Sequence, residues 1–148
     1  MNTLTKINNY RNFKKLLQIG QAVEKLAIEK IKLLYDVEII NIQNEDNYKI
    51  MLHDFETSKN LKYEVKADYA SEITGNFFCE FIDDWGKLSG ISISDADFYI
   101  ICSCDVFYMI AIEKLKELTI NKRIVKNKNS GKGYLIPMIQ IKTNSIII

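Results

Sequence analysis

Histidine, proline and tryptophan occur once each in the 148 residues, and cysteine three times. With His53 as the only imidazole, His-clustered metal sites are excluded, and any Ser/His or Cys/His catalytic arrangement depends on that ring. Cys79, Cys102 and Cys104 are odd in number and lie in hydrophobic, strand-like segments. Cys102 and Cys104 read as a Cys-x-Cys pair on one strand face, but no second pair exists to complete a zinc site. All three read as buried thiols of a reducing compartment. Long apolar runs are missing too. The longest, Val106 to Ile112, is far too short for a bilayer, and the opening Met-Asn-Thr-Leu-Thr-Lys lacks the apolar stretch of a secretory signal. The expectation is an intracellular protein, of the cytoplasm or nucleoid, or of a host cell if the source is viral.

What is present suits one compact domain. Hydrophobic residues make up 47% and charged residues 26%, and residues 1–148 contain no repeat, low-complexity tract or linker at which to divide them. A chain of this length buries roughly two thirds of its unfolded surface, so it needs no metal or disulfide as a staple. Any metal would serve chemistry.

The net charge of +1 conceals an uneven distribution. Residues 1–35 carry +5, residues 36–105 carry −10, and residues 106–148 carry +6. Such a pattern is either solvated surface charge or a carboxylate metal site framed by polyanion-binding ends.

Apolar spacing predicts the elements. From about Asn9 to Tyr35, Phe13, Leu16, Leu17, Val23, Leu26, Ala27, Ile31 and Leu34 recur at three- and four-residue intervals, which predicts an amphipathic helix relaxed at Gly20. Strands are predicted over Val37 to Gln43, Tyr48 to Phe55 and Leu61 to Ala67, joined by polar turns as an antiparallel meander. Further strands are expected over Phe77 to Ile82, Phe98 to Ser103 and Val106 to Ile112, with one helical turn at Ser92 to Asp95. Glu113 to Ile120 returns to helical spacing, Lys122 to Lys132 reads as a mobile basic segment, and Tyr134 to Lys142 as a last strand. This order predicts an α+β fold with helices packed on a mixed sheet.

The third strand carries the chemical signal. Leu61, Tyr63, Val65 and Ala67 alternate with Lys62, Glu64, Lys66 and Asp68, so one face is apolar and the other charged. Glu64 and Lys66 stand on that polar face about 7 Å apart along the strand. Theirs is the only Asp/Glu-x-Lys in the chain, although alternating charge is also what an ordinary half-exposed strand presents. A hairpin through Thr57 to Asn60 would return Asp54 beside Glu64. Two carboxylates on adjacent strands with a nearby amine can hold a hard divalent cation and place Lys66 near its water; the alternative is a hairpin-end charge cluster. Glu24 falls between Leu17 and Ile31 at seven-residue intervals, within the apolar seam, with Gly20 one turn earlier to allow close approach to the sheet. It is either a site carboxylate or a boundary residue that snorkels to water. Glu29, rotated by about 140° from it, reads as surface charge.

The order Gly20-x-x-x-Glu24, Asp54, Glu64-Val65-Lys66 resembles the PD-(D/E)XK nuclease superfamily, in particular its Holliday-junction-resolvase-like and phage or viral branches. The resemblance covers roughly residues 13–112 and includes Thr74-Gly75-Asn76-Phe77-Phe78-Cys79-Glu80-Phe81, Gly86-Lys87-Leu88-Ser89-Gly90 and Ala96-Asp97-Phe98-Tyr99. It implies a restriction-endonuclease-like core and a site in which Asp54, Glu64 and the Val65 carbonyl bind Mg²⁺, with Mn²⁺ as a substitute. Lys66 would orient or activate the attacking water, and Glu24 would complete the site. His53 stands where the name-giving proline would be. Glu80 is either a further metal-site group or a strand-surface charge.

Phosphate contacts are expected from Lys87 in its Gly-flanked loop, from Ser89-Gly90 through exposed amides, and from Lys122, Arg123, Lys126, Lys128 and Lys132. Nothing resembles a helix-turn-helix, a zinc finger or an RNP aromatic signature, and Gly131-Lys132-Gly133 is too short for a P-loop. The combined expectation is a homodimeric, Mg²⁺-dependent DNA endonuclease, structure-selective for junction or branched DNA. The alternatives are a nicking, restriction or repair nuclease of the same core, or a non-catalytic DNA-binding module.

Overall fold

The computed structural model describes residues 3–127 and 131–148, with side chains from residue 14 onward. The expected seam residue Phe13 and phosphate contact Lys128 therefore lie outside the described side chains. In chain order the elements are α1 (Thr3–Tyr35), β1 (Ile39–Ile42), β2 (Phe55–Thr57), β3 (Lys62–Ala67), α2 (Ser71–Thr74) and β4 (Asn76–Ile82). A single 3-10 turn follows at Gly90–Ser92. Then come β5 (Phe98–Ser103), β6 (Val106–Ala111), α3 (Ile112–Thr119), β7 (Ile124–Asn127), β8 (Gly131–Pro137), α4 (Met138–Thr143) and β9 (Ile146–Ile147). Six strands form one sheet in the order β1-β2-β3-β5-β6-β9, and β4-β8-β7 form a second. β3 and β5 run parallel while the other pairs are antiparallel, so the fold is α+β on a mixed sheet.

Strand alternation divides the core in two. Ile100 and Cys102 of β5, with Phe107 and Met109 of β6, face one side and pack with Val23, Ala27 and Ile31 of α1. Tyr99, Ile101, Tyr108 and Ile110 face the other, against α3, α4 and the second sheet through Leu115, Ile141, Phe77 and Ile136. β3 follows the same parity, with Tyr63 and Val65 in the α1 core. Glu64 and Lys66 consequently point to the other side.

Several expectations are corrected. The seam of α1 narrows to Val23, Ala27 and Ile31, while Leu16, Leu17, Leu26 and Leu34 are exposed. A β-carbon at Gly20 would meet nothing within 4 Å, so that glycine serves no close approach. Length explains Leu16 and Leu17: 33 helical residues span about 50 Å, whereas six-residue strands span about 20 Å, and the first half of the helix overhangs; Leu26 is instead rotated by about 100° from Ala27, off the packed stripe. The strand expected over Tyr48 to Phe55 shrinks to Phe55–Thr57, because Asn44 Oδ1 accepts the Asp46 and Asn47 amides and turns the chain there. The one-turn helix lies at Gly90–Ser92, just before the position expected. The described residues of Lys122 to Lys132 include β7 and the start of β8, which pair antiparallel where a mobile segment is expected; residues 128–130 lie outside the described residues. The last strand stops at Pro137, which has no amide to donate, and the chain continues as α4. Cys102 and Cys104 do not share a strand face: Cys102 is buried in β5, whereas Cys104 is exposed in a two-residue turn with Asp105, φ 50° and 58°. No described helix is long and apolar enough to cross a membrane.

Candidate active site

The site forms where β2 stops short of β3. The register between them runs through Glu56–Lys62 and Phe55–Tyr63 and then ends, leaving the edge of β3 open beside Val65. Asp54, the residue before β2, fills the gap: its backbone amide donates to the Tyr63 carbonyl at 2.8 Å, and its Oδ2 accepts the Val65 amide at 2.6 Å. In a strand the N–H and C=O of one residue face the same side, so the Val65 carbonyl is turned to the same edge as the Asp54 carboxylate. On the neighbouring face of β3, Lys66 Nζ donates to Glu64 Oε1 at 2.5 Å. The Glu64 side chain is 12% exposed and that of Lys66 40% exposed, so the carboxylate is the more enclosed of the two.

Glu24 joins them from α1, at the flank of the Val23–Ala27–Ile31 stripe. Partial burial and the nearby charge of Glu64 push its carboxyl upward, opposed by Lys66. Asp54 is affected more: burial first, then the Glu64 charge, raise it from 3.8 to about 7, against the pull of Lys66 and the Val65 amide. Burial opposes the charge of Lys66, but Glu64 and Asp54 outweigh it and hold the amine protonated. Three carboxylates thus share one ammonium, and the residual repulsion is what a divalent cation would relieve. Among the described residues no group of three or more His, Cys, Asp or Glu stands close enough to hold a metal ion, so Glu24 does not close with Asp54 and Glu64 into a three-carboxylate ligand set. The donors that fit a cation are therefore two carboxylates and a backbone carbonyl at an open edge, with Glu24 farther out.

Beside Glu64 and Lys66 opens a cavity of about 410 Å³ whose walls include Phe78, Glu80, Gly90 and Tyr99. Two braces build it. Asp97 Oδ2 accepts the Lys62 amide and its own amide donates to the Lys62 carbonyl, both at 2.8 Å, which pins the start of β5 to β3 and sets Tyr99 across from Glu64. Asp68, at the end of β3, accepts the Ser71 amide at 3.1 Å and the Phe78 amide at 3.3 Å, drawing β4 over the cavity.

Glu80 is thereby a cavity residue rather than a solvated strand charge, and its Oε1 accepts the Ser89 hydroxyl at 2.7 Å. The contact requires glycine next door: a β-carbon at Gly90, φ +48°, would lie 2.3 Å from the Glu80 carbonyl oxygen. Ser89 does not offer the free amide expected of it, since that amide donates to the Phe81 carbonyl at 3.0 Å. Lys87, Arg123 and Lys132 are exposed, on the turn after β4, before β7 and on β8, and make no contact with Asp54 or Glu64 among the hydrogen bonds and ion pairs of the described residues. His53 is buried with Nδ1 2.7 Å from Asp95 Oδ1, and that carboxylate also receives Lys62 Nζ at 2.8 Å. This braces the loop ahead of β5.

Sequence reading missed Tyr99. Its ring is buried in the cavity wall, and among the described residues its hydroxyl makes no hydrogen bond although Ser94 is near. Burial and the Glu64 charge hold that phenol protonated. Alternation in β5 signals a residue opposite Glu64 only once the parallel register is known. Compared with family models and with curated proteins, the chain matches none.

Proposed function

We propose that the chain is a divalent-metal-dependent DNA endonuclease of the PD-(D/E)XK type with a restriction-endonuclease-like core. One observation carries the reading: Glu24, Asp54, Glu64 and Lys66, drawn from a helix, a strand edge and a strand, act on one another's charge at the open edge of β3 beside a cavity. An ordinary surface strand would let its carboxylates separate into water.

Asp54, Glu64 and the Val65 carbonyl would hold Mg²⁺ or Mn²⁺. Bound there, the cation supplies a water acidic enough to attack near neutral pH and a counter-charge for the pentacovalent phosphorus. Lys66, an ammonium at neutral pH, donates to the attacking water or the scissile phosphate and limits repulsion among the carboxylates. Glu24 accepts from that water. The exposed cations of the second sheet hold the backbone without reading bases, which fits recognition by structure. Branched or junction DNA is the leading substrate, and paired cuts in opposed strands call for a homodimer with two symmetric sites.

The test is cleavage of a labelled four-way junction, a matched duplex and a single strand, in Mg²⁺ and in EDTA. Wild type should nick the junction in pairs only with metal, and Lys66→Ala should bind without cutting. Survival of all three DNAs in Mg²⁺ and Mn²⁺ while binding persists would leave a non-catalytic DNA-binding module.

A further inference from the structure

The only tryptophan of the chain, Trp85, is 85% exposed at the far end of the second sheet. Its turn is not loose. Asp83 Oδ1 accepts the amides of Trp85 and Lys87, both at 2.9 Å, and the Asp83 amide donates to the Lys87 carbonyl at 2.8 Å. Gly86 supplies the positive φ of 80° that closes it. The turn is also fixed to the neighbouring hairpin, where Asp84 Oδ1 accepts the Gly131 amide at 2.8 Å. Gly131 fits so closely that a β-carbon would lie 2.0 Å from the Ile82 carbonyl oxygen. An indole in water on a pre-ordered support is poised to bind at little further entropic cost.

The charge beside it gives the chemistry of the partner. Lys126 of β7 and Lys132 of β8 are directly opposite each other in register, and Lys132 in turn is opposite Ile82, the last residue before the turn. Like charges directly opposite are destabilising, yet neither of these exposed lysines, nor Lys87, makes an ion pair among the described residues. The two nearby carboxylates, Asp83 and Asp84, already accept backbone amides. An exposed aromatic ring on a turn, with three exposed lysines on that turn and the adjoining strands that make no ion pair among the described residues, matches an unpaired base between phosphates, because stacking accepts any base and the ammoniums take the backbone.

We propose that this tip is a stacking platform for an unpaired nucleotide of the DNA substrate, with Trp85 against the base and Lys87, Lys126 and Lys132 on flanking phosphates. Glu80, on the strand β4 that leads into this turn, lines the cavity beside Glu64, five residues before Trp85. The choice of DNA rests on the nuclease reading; the platform itself does not require cleavage.

The test is binding in EDTA, where nothing is cut, of a fluorescein-labelled oligo-dT, a blunt hairpin duplex and the same duplex carrying a single-stranded flap. Unlabelled DNA is used to follow the tryptophan emission. The flap and oligo-dT should quench that emission saturably and the blunt duplex should not. Trp85→Ala should weaken flap binding about 5- to 100-fold with Trp85→Phe in between, and far-UV circular dichroism should be unchanged. Anisotropy that reports DNA binding while the indole emission stays constant, or Trp85→Ala binding as tightly as wild type, overturns the platform. So does failure of all three DNAs to bind. Quenching by the flap without cleavage in Mg²⁺ sinks the nuclease reading and leaves the platform; cleavage with unchanged emission does the reverse.

Discussion

At the open edge of β3, carboxylates crowd around one ammonium under partial burial; on the second sheet, ammonium groups face one another in contact with water. Asp54 is driven to about 7 by burial and by the charge of Glu64. The opposed Lys126 and Lys132 repel through a medium that screens them within about 10 Å at ordinary salt. The first cluster gathers carboxylates around a single ammonium under partial burial and the second gathers ammonium groups in water, so on the proposed reading the first would hold a compact cation and the second a long polyanion.

Four experiments test that contrast. The largest effect is expected from Glu64→Gln, which removes the enclosed charge: metal-dependent cleavage should fall by on the order of 10²–10³-fold in single-turnover assays, with junction affinity retained. Next comes Asp54→Asn without metal. The carboxyl titrates near 3.8 when unfolded and near 7 when folded, so between these values the native state binds more protons. Wild-type stability should therefore fall as pH rises from about 4 to about 7 and level off above. Asp54→Asn, which keeps an acceptor for the Val65 amide, should be more stable than wild type at pH 8 by about 1–3 kcal/mol and lose that gain near pH 4 in chemical denaturation. Mg²⁺ should raise the Tm of wild type at pH 8 and leave that of Asp54→Asn unchanged.

Gly131→Ala tests the second sheet. A β-carbon would meet the Ile82 and Asp83 backbone at a left-handed φ of +78°, costing about 2–3 kcal/mol on denaturant melting while the carboxylate site stays assembled. Smallest in energy is the pair Lys126→Ala with Lys132→Ala. Relief of the cross-strand repulsion should raise stability by a few tenths of a kcal/mol, and the slope of log affinity against log salt should shrink by about 2.

The hairpin-end pairing was legible because alternation in Leu61 to Ala67 fixes which side chains share a face, and a short polar turn fixes which strand returns. Asp54 opposite Glu64 follows from those two facts. The role of Glu80 was not legible: its strand joins β8 rather than the main sheet, and β8 lies more than fifty residues later. Nor could the periodicity of α1 say where its packing ends. Leu16 and Leu34 keep the helical spacing of a buried face but are 66% and 57% exposed.

By itself the sequence determined the elements with strong local patterning: the long helix, the charged face of β3, the β5 and β6 pair, and the Glu64–Val65–Lys66 spacing. Those are set by side-chain period and turn chemistry over a few residues. Only the tertiary structure decided that Tyr99 stands beside Glu64, that Glu80 walls the cavity, and that Lys126 and Lys132 oppose each other next to Trp85. Each of these depends on a strand pairing whose partner is remote along the chain, where no local propensity acts.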